Sequence, residues 1–174
     1  MSYCPDNALI IQSDRTVLLD VHAPKAAAAQ AAIAPFAELI KSPEHIHTYR
    51  LSPLSIWNAR AAGMAVTAMV AALQDHAKYP MPDAVAQELE ALGQRYGLTT
   101  LTAGTQGDLV LTVADRPLAV LLQRHEQVGP LLGATQSPTT FTIALGDRGR
   151  LKQALLAAGY PAEDLAGYLA GDAL

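Results

Sequence analysis

Apolar residues recur along this chain in two rhythms, period two and period three to four, and the places where one gives way to the other outline its elements. Leu9-Ile10-Ile11-Gln12, a polar break at Ser13-Asp14-Arg15-Thr16, and Val17-Leu18-Leu19-Asp20-Val21 predict a β-hairpin. The alanine-rich stretch after Pro24 predicts a helix with that proline in its first turn, continued by Ile33, Phe36 and Ile40 at helical spacing. Pro35 must kink or restart it, because an interior turn needs the N–H that proline lacks. Residues 45–51 alternate again as a strand.

Three punctuated helices follow. The first has Ser52 as N-cap, Pro53 at its first position and Gly63 as its stop, with Leu54, Trp57 and Ala61 on one face and Trp57 as the anchor. The second carries Val66, Met69, Val70 and Leu73 and ends by Pro80; the third, residues 83–97, aligns Val85, Leu89, Leu92 and Tyr96. Near Gly97 the rhythm returns to period two: a strand over 98–103, a Gly104-Thr105-Gln106-Gly107 turn, then Leu109, Leu111 and Val113 facing one way. Asp115 caps a helix bearing Leu118, Leu121 and Leu122; Phe141, Ile143 and Leu145 alternate; Asp147 opens a helix with Leu151 and Leu155 that stops at Gly159. The expected fold class is α+β, with a boundary near residue 97. Residues 1–97 would hold a mixed sheet with a three-helix, winged-helix-like segment, and 98–174 a small α+β module.

Composition narrows the function classes. A chain of 174 residues, half of them apolar, holds a real core without disulfide or metal. Its single cysteine, Cys4, has no internal partner to oxidise with, and neither a secretory core nor an apolar run long enough to cross a bilayer is present; the expectation is reducing cytoplasm, nucleoid-associated if bacterial, with no membrane partner. Net charge is -4, shared by both halves. Strong DNA binders carry a basic surplus that displaces counterions from phosphate, so any DNA affinity here should be weak and salt-sensitive.

Motifs for independent chemistry are missing. No G-x-x-x-x-G-K-[ST] loop is present to cradle nucleotide phosphates, and no G-x-S-x-G, H-E-x-x-H or C-x-x-C. His125-Glu126 begins like a zinc helix, but Gly129 stands where the second histidine belongs. His45 and His47 would share one face of a strand, yet no third ligand can be named beside them from His22, His76 or His125, and packed, hydrogen-bonded histidines are the plainer expectation. Cys4, at an expected frayed terminus, would need a neighbouring base to act as a nucleophile. The best anion site is the start of the last helix, where Arg148, Arg150 and Lys152 flank free backbone N–H groups and could meet phosphate. The competing reading is a surface paired with Asp147, Glu163 and Asp164. No catalytic, cofactor or metal residue is assigned, and Trp57 is expected in the core rather than stacked on bases.

The stretches Ile11-Gln12-Ser13-Asp14-Arg15-Thr16-Val17-Leu18-Leu19, the long segment over 43–63 (Pro-Glu-His-Ile-His-Thr-Tyr-Arg-Leu-Ser-Pro-Leu-Ser-Ile-Trp-Asn-Ala-Arg-Ala-Ala-Gly), Asp147-Arg148-Gly149-Arg150-Leu151-Lys152-Gln153 and Gly159-Tyr160-Pro161-Ala162-Glu163-Asp164-Leu165-Ala166-Gly167-Tyr168 together resemble the N-terminal region of bacterial XPB-type DNA repair helicases. The resemblance runs from end to end and is weakest over 99–142. It implies an XPB N-terminal-like domain over 1–97 and a damage-recognition-like module over 98–174, preceding two ATPase lobes that translocate 3′ to 5′. Because the chain stops at Leu174, where that motor is expected to begin, no ATP-binding residue is carried over. ATP and magnesium belong to the attached motor.

The leading expectation is therefore an accessory, DNA-engaging and regulatory region of a repair helicase, reading backbone shape rather than base edges. Its partners would be weakly held DNA and the motor lobes in cis. The alternative is a protein interaction module that docks those lobes or a nuclease partner. A winged-helix regulator is a lesser alternative, since its third helix would face phosphate with Asp83, Glu88 and Glu90 and only Arg95 to offset them. An independent enzyme comes last.

Overall fold

In the computed structural model, which describes residues 3–167, strands β1 (Leu9–Ile11) and β2 (Thr16–Asp20) form the expected hairpin. Its turn is closed by Asp14, whose carboxylate accepts the Thr16 N–H at 2.9 Å, and by Arg15 in a left-handed conformation at φ 69°. Helix α1 (Ala26–Ile33) follows, with Lys25 at the N-cap, so Pro24 stands before the helix and not in its first turn. Pro35 stops the helix instead of kinking it. Phe36 and Ala37 donate back to the Ile33 carbonyl, and Phe36 is fully buried in that turn.

The chain then continues as strand β3 (Glu38–Lys41), so Ile40, expected on a helix face, lies half-exposed on a sheet edge. Helical spacing overruled by proline accounts for the difference: once the N–H is missing, the edge of β4 (Ile46–Arg50) offers the backbone better partners. The sheet order is β1-β2-β4-β3 and every pairing is antiparallel, not mixed.

Helix α2 (Pro53–Ala61) is capped as expected, the Ser52 hydroxyl accepting the Ser55 N–H at 3.1 Å, and the chain leaves it through Gly63 at φ +95°. Its buried face is Ile56, Trp57 and Ala59, while Leu54 and Ala61 are exposed. Trp57 sets that rotation, because its indole N–H must find an acceptor and reaches the Leu92 carbonyl at 2.8 Å. Helix α3 (Val66–His76) buries Met69 and Leu73; helix α4 (Asp83–Arg95) buries Val85, Leu89 and Gly93. A Cβ on Gly93 would land on the Val66 side chain, so this glycine in the last turn of α4 lets α3 and α4 approach. The helices cover the face of the sheet that presents Leu9, Ile11, Val17, Leu19 and Tyr49.

The chain divides into two compact units between Gly93 and Gln94. In the second unit β5 (Thr99–Ala103) and β6 (Leu109–Val113) form a hairpin inside a five-stranded sheet, with β7 (Thr135–Ser137), β8 (Thr140–Ile143) and β9 (Ala162–Asp164) in the order β7-β8-β6-β5-β9. Here the sheet is mixed, β9 running parallel to β5. The hairpin around Gly107, which a winged-helix regulator would use as its wing, is paired on both sides, so it is the middle of a sheet and not a projecting arm. Helix α5 (Arg116–Arg124) is capped by Asp115, which accepts the Leu118 N–H at 2.9 Å; α6 (Arg148–Ala158) ends at Gly159, φ +90°. Leu118, Leu122, Leu151 and Leu155 pack on Leu101, Leu111 and Phe141, whereas Leu121 and Leu145 are exposed. Tyr168 and the rest of the expected second module lie outside the described residues.

Candidate nucleic-acid interface

The three cations expected to meet phosphate lie on the first turns of α6, but the fold gives them different tasks. Arg148 is buried. Its guanidinium grips Asp164 with two parallel hydrogen bonds of 2.8 and 2.7 Å and donates a third, of 2.7 Å, to the Gly167 carbonyl. Lys152 reaches the same carboxylate at 3.2 Å. Burial by itself would raise the Asp164 carboxyl. Hydrogen bonds from Arg148, the Ala166 N–H and Lys152 outweigh that and hold it below the ordinary carboxylate value. This cluster fastens β9 to the unit. Arg148 is thereby withdrawn from any phosphate, and the pairing with Asp164 weighed against the anion site is the one that forms.

Arg150 alone of the three points outward, 74% exposed, with Asp147 at 3.4 Å. It lines an open cleft of about 640 Å³ with Glu126, Gln127, Pro130, Leu131, Gly149 and Gln153. Asp147 makes no side-chain cap to the helix, and the Arg148 N–H donates to the Leu145 carbonyl.

A feature that charge and motif searches passed over lies on the outer face of the same sheet. The cross-strand register sets Thr100, Thr112 and Thr140 in one row and Thr102, Val110 and Thr142 in the next, opposite the leucine-lined core face. Thr112 is exposed and the other threonines are half-buried; Gln136 donates to the Thr142 hydroxyl at 3.1 Å, and Glu163 stands beside Thr100 on β9. Hydroxyls both donate and accept, so this surface can meet sugar and phosphate oxygens without net positive charge. The signal was present in the alternation of 99–103 and 140–143, but threonine in a strand reads first as β-propensity.

The histidines are placed otherwise than expected. His45 precedes β4 and is exposed, its Nδ1 2.8 Å from His22 Nε2; His47 is half-buried, and its Nδ1 has no hydrogen-bond partner among the described residues. His125 ends α5, its ring nitrogen accepting the N–H groups of Gln127 and Val128, which is why no zinc helix follows it. Cys4 is not frayed. Its N–H donates to the Lys78 carbonyl at 2.8 Å, and nearby the Asn7 amide donates to the carbonyls of Asp75 and Ala77 at the end of α3. Among the described residues no single helix is long and apolar enough to cross a membrane.

Residues 9–137 match the family described as "Helicase conserved C-terminal domain". The chain is 45% identical over 168 residues to the DNA 3'-5' helicase XPB of Mycobacterium tuberculosis, covering 97% of this chain and 31% of that protein. It is likewise 45% identical to the DNA 3'-5' helicase XPB of Kineococcus radiotolerans, covering 97% of this chain and 30% of the relative. A more distant match, 28% identical over 131 residues, is the XPB/SSL2 helicase/translocase subunit of general transcription and DNA repair factor IIH of Saccharomyces cerevisiae, covering 73% of this chain and 15% of that protein. The chain thus spans less than a third of the length of these bacterial relatives. It belongs to the helicase conserved C-terminal domain family and, within it, is similar to a portion of bacterial XPB-type DNA helicases.

Proposed function

We propose that this chain is an accessory region of an XPB-type DNA repair helicase, lying N-terminal to the motor, that engages DNA and regulates the ATP-driven lobes without carrying a motor of its own. The carrying observation is the 45% identity, over 97% of the chain, to two proteins named as DNA 3'-5' helicases. The fold supports the lack of a motor. Nucleotide-gripping lobes set a phosphate loop between a parallel strand and a helix; here the parallel pairings among the described residues are the three-residue β5–β9 contact at a sheet edge and an isolated Leu9–Ala77 bridge. ATP, magnesium and 3′-5′ translocation belong, in this reading, to the rest of the helicase, in the cytoplasm.

The threonine face of the second unit, with Arg150 elsewhere on its surface, is the proposed DNA surface. Uncharged hydroxyls suit a module that follows backbone geometry, with net charge -4 keeping grip low until the motor supplies it. Mobility shifts at low salt should show weak binding that favours forked or bubble DNA over plain duplex. Thr102→Glu with Thr142→Glu should abolish it, and the isolated chain should not hydrolyse ATP. Equal binding to all three DNAs, or an unchanged shift in the double variant, would end the shape-reading role.

A second reading is favoured by one feature of the first unit. Leu39, Ile40 and Leu54 are each about half exposed, and Leu54 lines a cleft with Ala34, Pro35, Ala37 and Ser55. Such a surface suits docking of motor lobes or a nuclease partner. Pull-down with purified helicase lobes, compared with the mobility shift, separates the two readings.

A further inference from the structure

We propose that His22 and His45 form a binding site for a divalent transition metal of the copper(II) or nickel(II) type in the first unit. His22 follows β2 and His45 precedes β4, so two segments far apart in sequence bring their rings together. His22 Nε2 and His45 Nδ1 are 2.8 Å apart, with ring centroids 5.0 Å apart. Both residues are exposed, so a hydrated cation can reach them.

The backbone holds the two in place. The Val21 N–H donates to the His45 carbonyl at 3.2 Å, and the His22 N–H donates to the Asp20 carboxylate at 3.0 Å. With the backbone held, only the two side-chain rotamers remain to be ordered by a metal. In the free protein one ring donates its N–H to the other's lone pair. To bind a dication the donor ring moves that proton to its other nitrogen, so that both rings stay neutral and each offers a lone pair, with no net loss of a proton.

At 2.8 Å between nitrogens and 5.0 Å between centroids the rings face each other nearly head-on, as a hydrogen-bonded pair does, so the two exposed rings must turn to aim both lone pairs at one ion. Imidazole nitrogens suit copper(II) and nickel(II), and copper(II) stands above zinc in affinity for such ligands. Outside the ligands, the Glu44 carboxylate lies 4.0 Å from Nε2 of His45, the ring's other nitrogen. A carboxylate there orients a metal-bound imidazole and raises its basicity. Asp20 adds a second negative charge, partly offset by Lys78 at 3.3 Å. Among the described residues no group of three or more metal-ligating side chains is gathered, so water fills the remaining positions and the site is exchangeable.

The test uses the full 174-residue chain without an affinity tag, titrated separately with copper(II), nickel(II) and zinc(II) and followed by calorimetry. Electron paramagnetic resonance of the copper form counts the nitrogen ligands. One ion per chain is expected, with hyperfine structure from two imidazoles and zinc bound more weakly than copper. His22→Ala and His45→Ala should each weaken binding at least about tenfold, and Glu44→Gln by less, while His47→Ala and His125→Ala leave it unchanged. Circular dichroism confirms that the variants are folded. Binding that survives loss of either His22 or His45, or a copper spectrum with fewer than two imidazole nitrogens, would overturn the site.

Discussion

Asp164→Ala removes the acceptor of two hydrogen bonds from the buried Arg148 guanidinium. The Arg148 and Asp164 side chains are 10% and 12% exposed, so the pair is close to the buried limit, where deleting one partner strands a charge at a cost of roughly 3–5 kcal/mol. The Gly167 carbonyl still accepts one Arg148 N–H, which places the expected loss near the lower figure, about 3 kcal/mol. A unit of this size has only about 4–12 kcal/mol in total. The double replacement Arg148→Met with Asp164→Leu removes both desolvation penalties and should recover most of the loss. Urea unfolding followed by circular dichroism measures the global term. Hydrogen exchange at Leu165, whose N–H donates to the Leu101 carbonyl at 2.8 Å, reports whether the β9 edge opens first. A loss below about 1 kcal/mol in the single variant would mean the pair behaves as an exposed one. A double variant no better than the single would mean that packing, not the stranded charge, was responsible.

The same carboxylate makes stability depend on acid. Its folded value lies below the ordinary value near 3.9 that holds in the unfolded chain, so its contribution is present above that value and is lost as pH falls through the folded one; acid titration of Asp164→Ala should show a shallower decline than the parent. Gly93→Ala should destabilise the first unit by about 1–3 kcal/mol despite better helix propensity, because the new methyl meets Val66, and thermal unfolding checks it. Asn7→Ala leaves two carbonyls at the end of α3 without their donor and should cost about 2 kcal/mol, read as a drop in the urea midpoint and faster exchange of the Lys78 N–H, which donates to the Leu9 carbonyl.

Local rules reach some of this molecule well. The Ser52 and Asp115 caps, the exits at Gly63 and Gly159, the opening hairpin and the 99–113 hairpin each depend on interactions within a few residues. Where sequence reading went astray, a distant partner decided. Ile40 kept helical spacing but lost the helix to Pro35 and the strand edge of β4, and Leu54 gave up its place to Ile56 because Trp57 needed the Leu92 carbonyl. The candidate surface shows the same division. Arg148, Arg150 and Lys152 stand together on α6 as their spacing requires, yet which of them meets solvent was settled by Asp164 arriving on β9.

The sequence alone determined an α+β fold, the caps and glycine exits of several helices, and the resemblance to a helicase segment. Tertiary structure decided the rest: which sheet is mixed, which cation is buried, that threonines line one face of the second sheet, and that His22 lies beside His45 and not His47. Caps, turns and periodicity act over one helical turn or one strand pair and are written in neighbouring letters. Pairing across strands and the burial of a charge depend on residues that become neighbours only when the chain closes, and no local pattern encodes them.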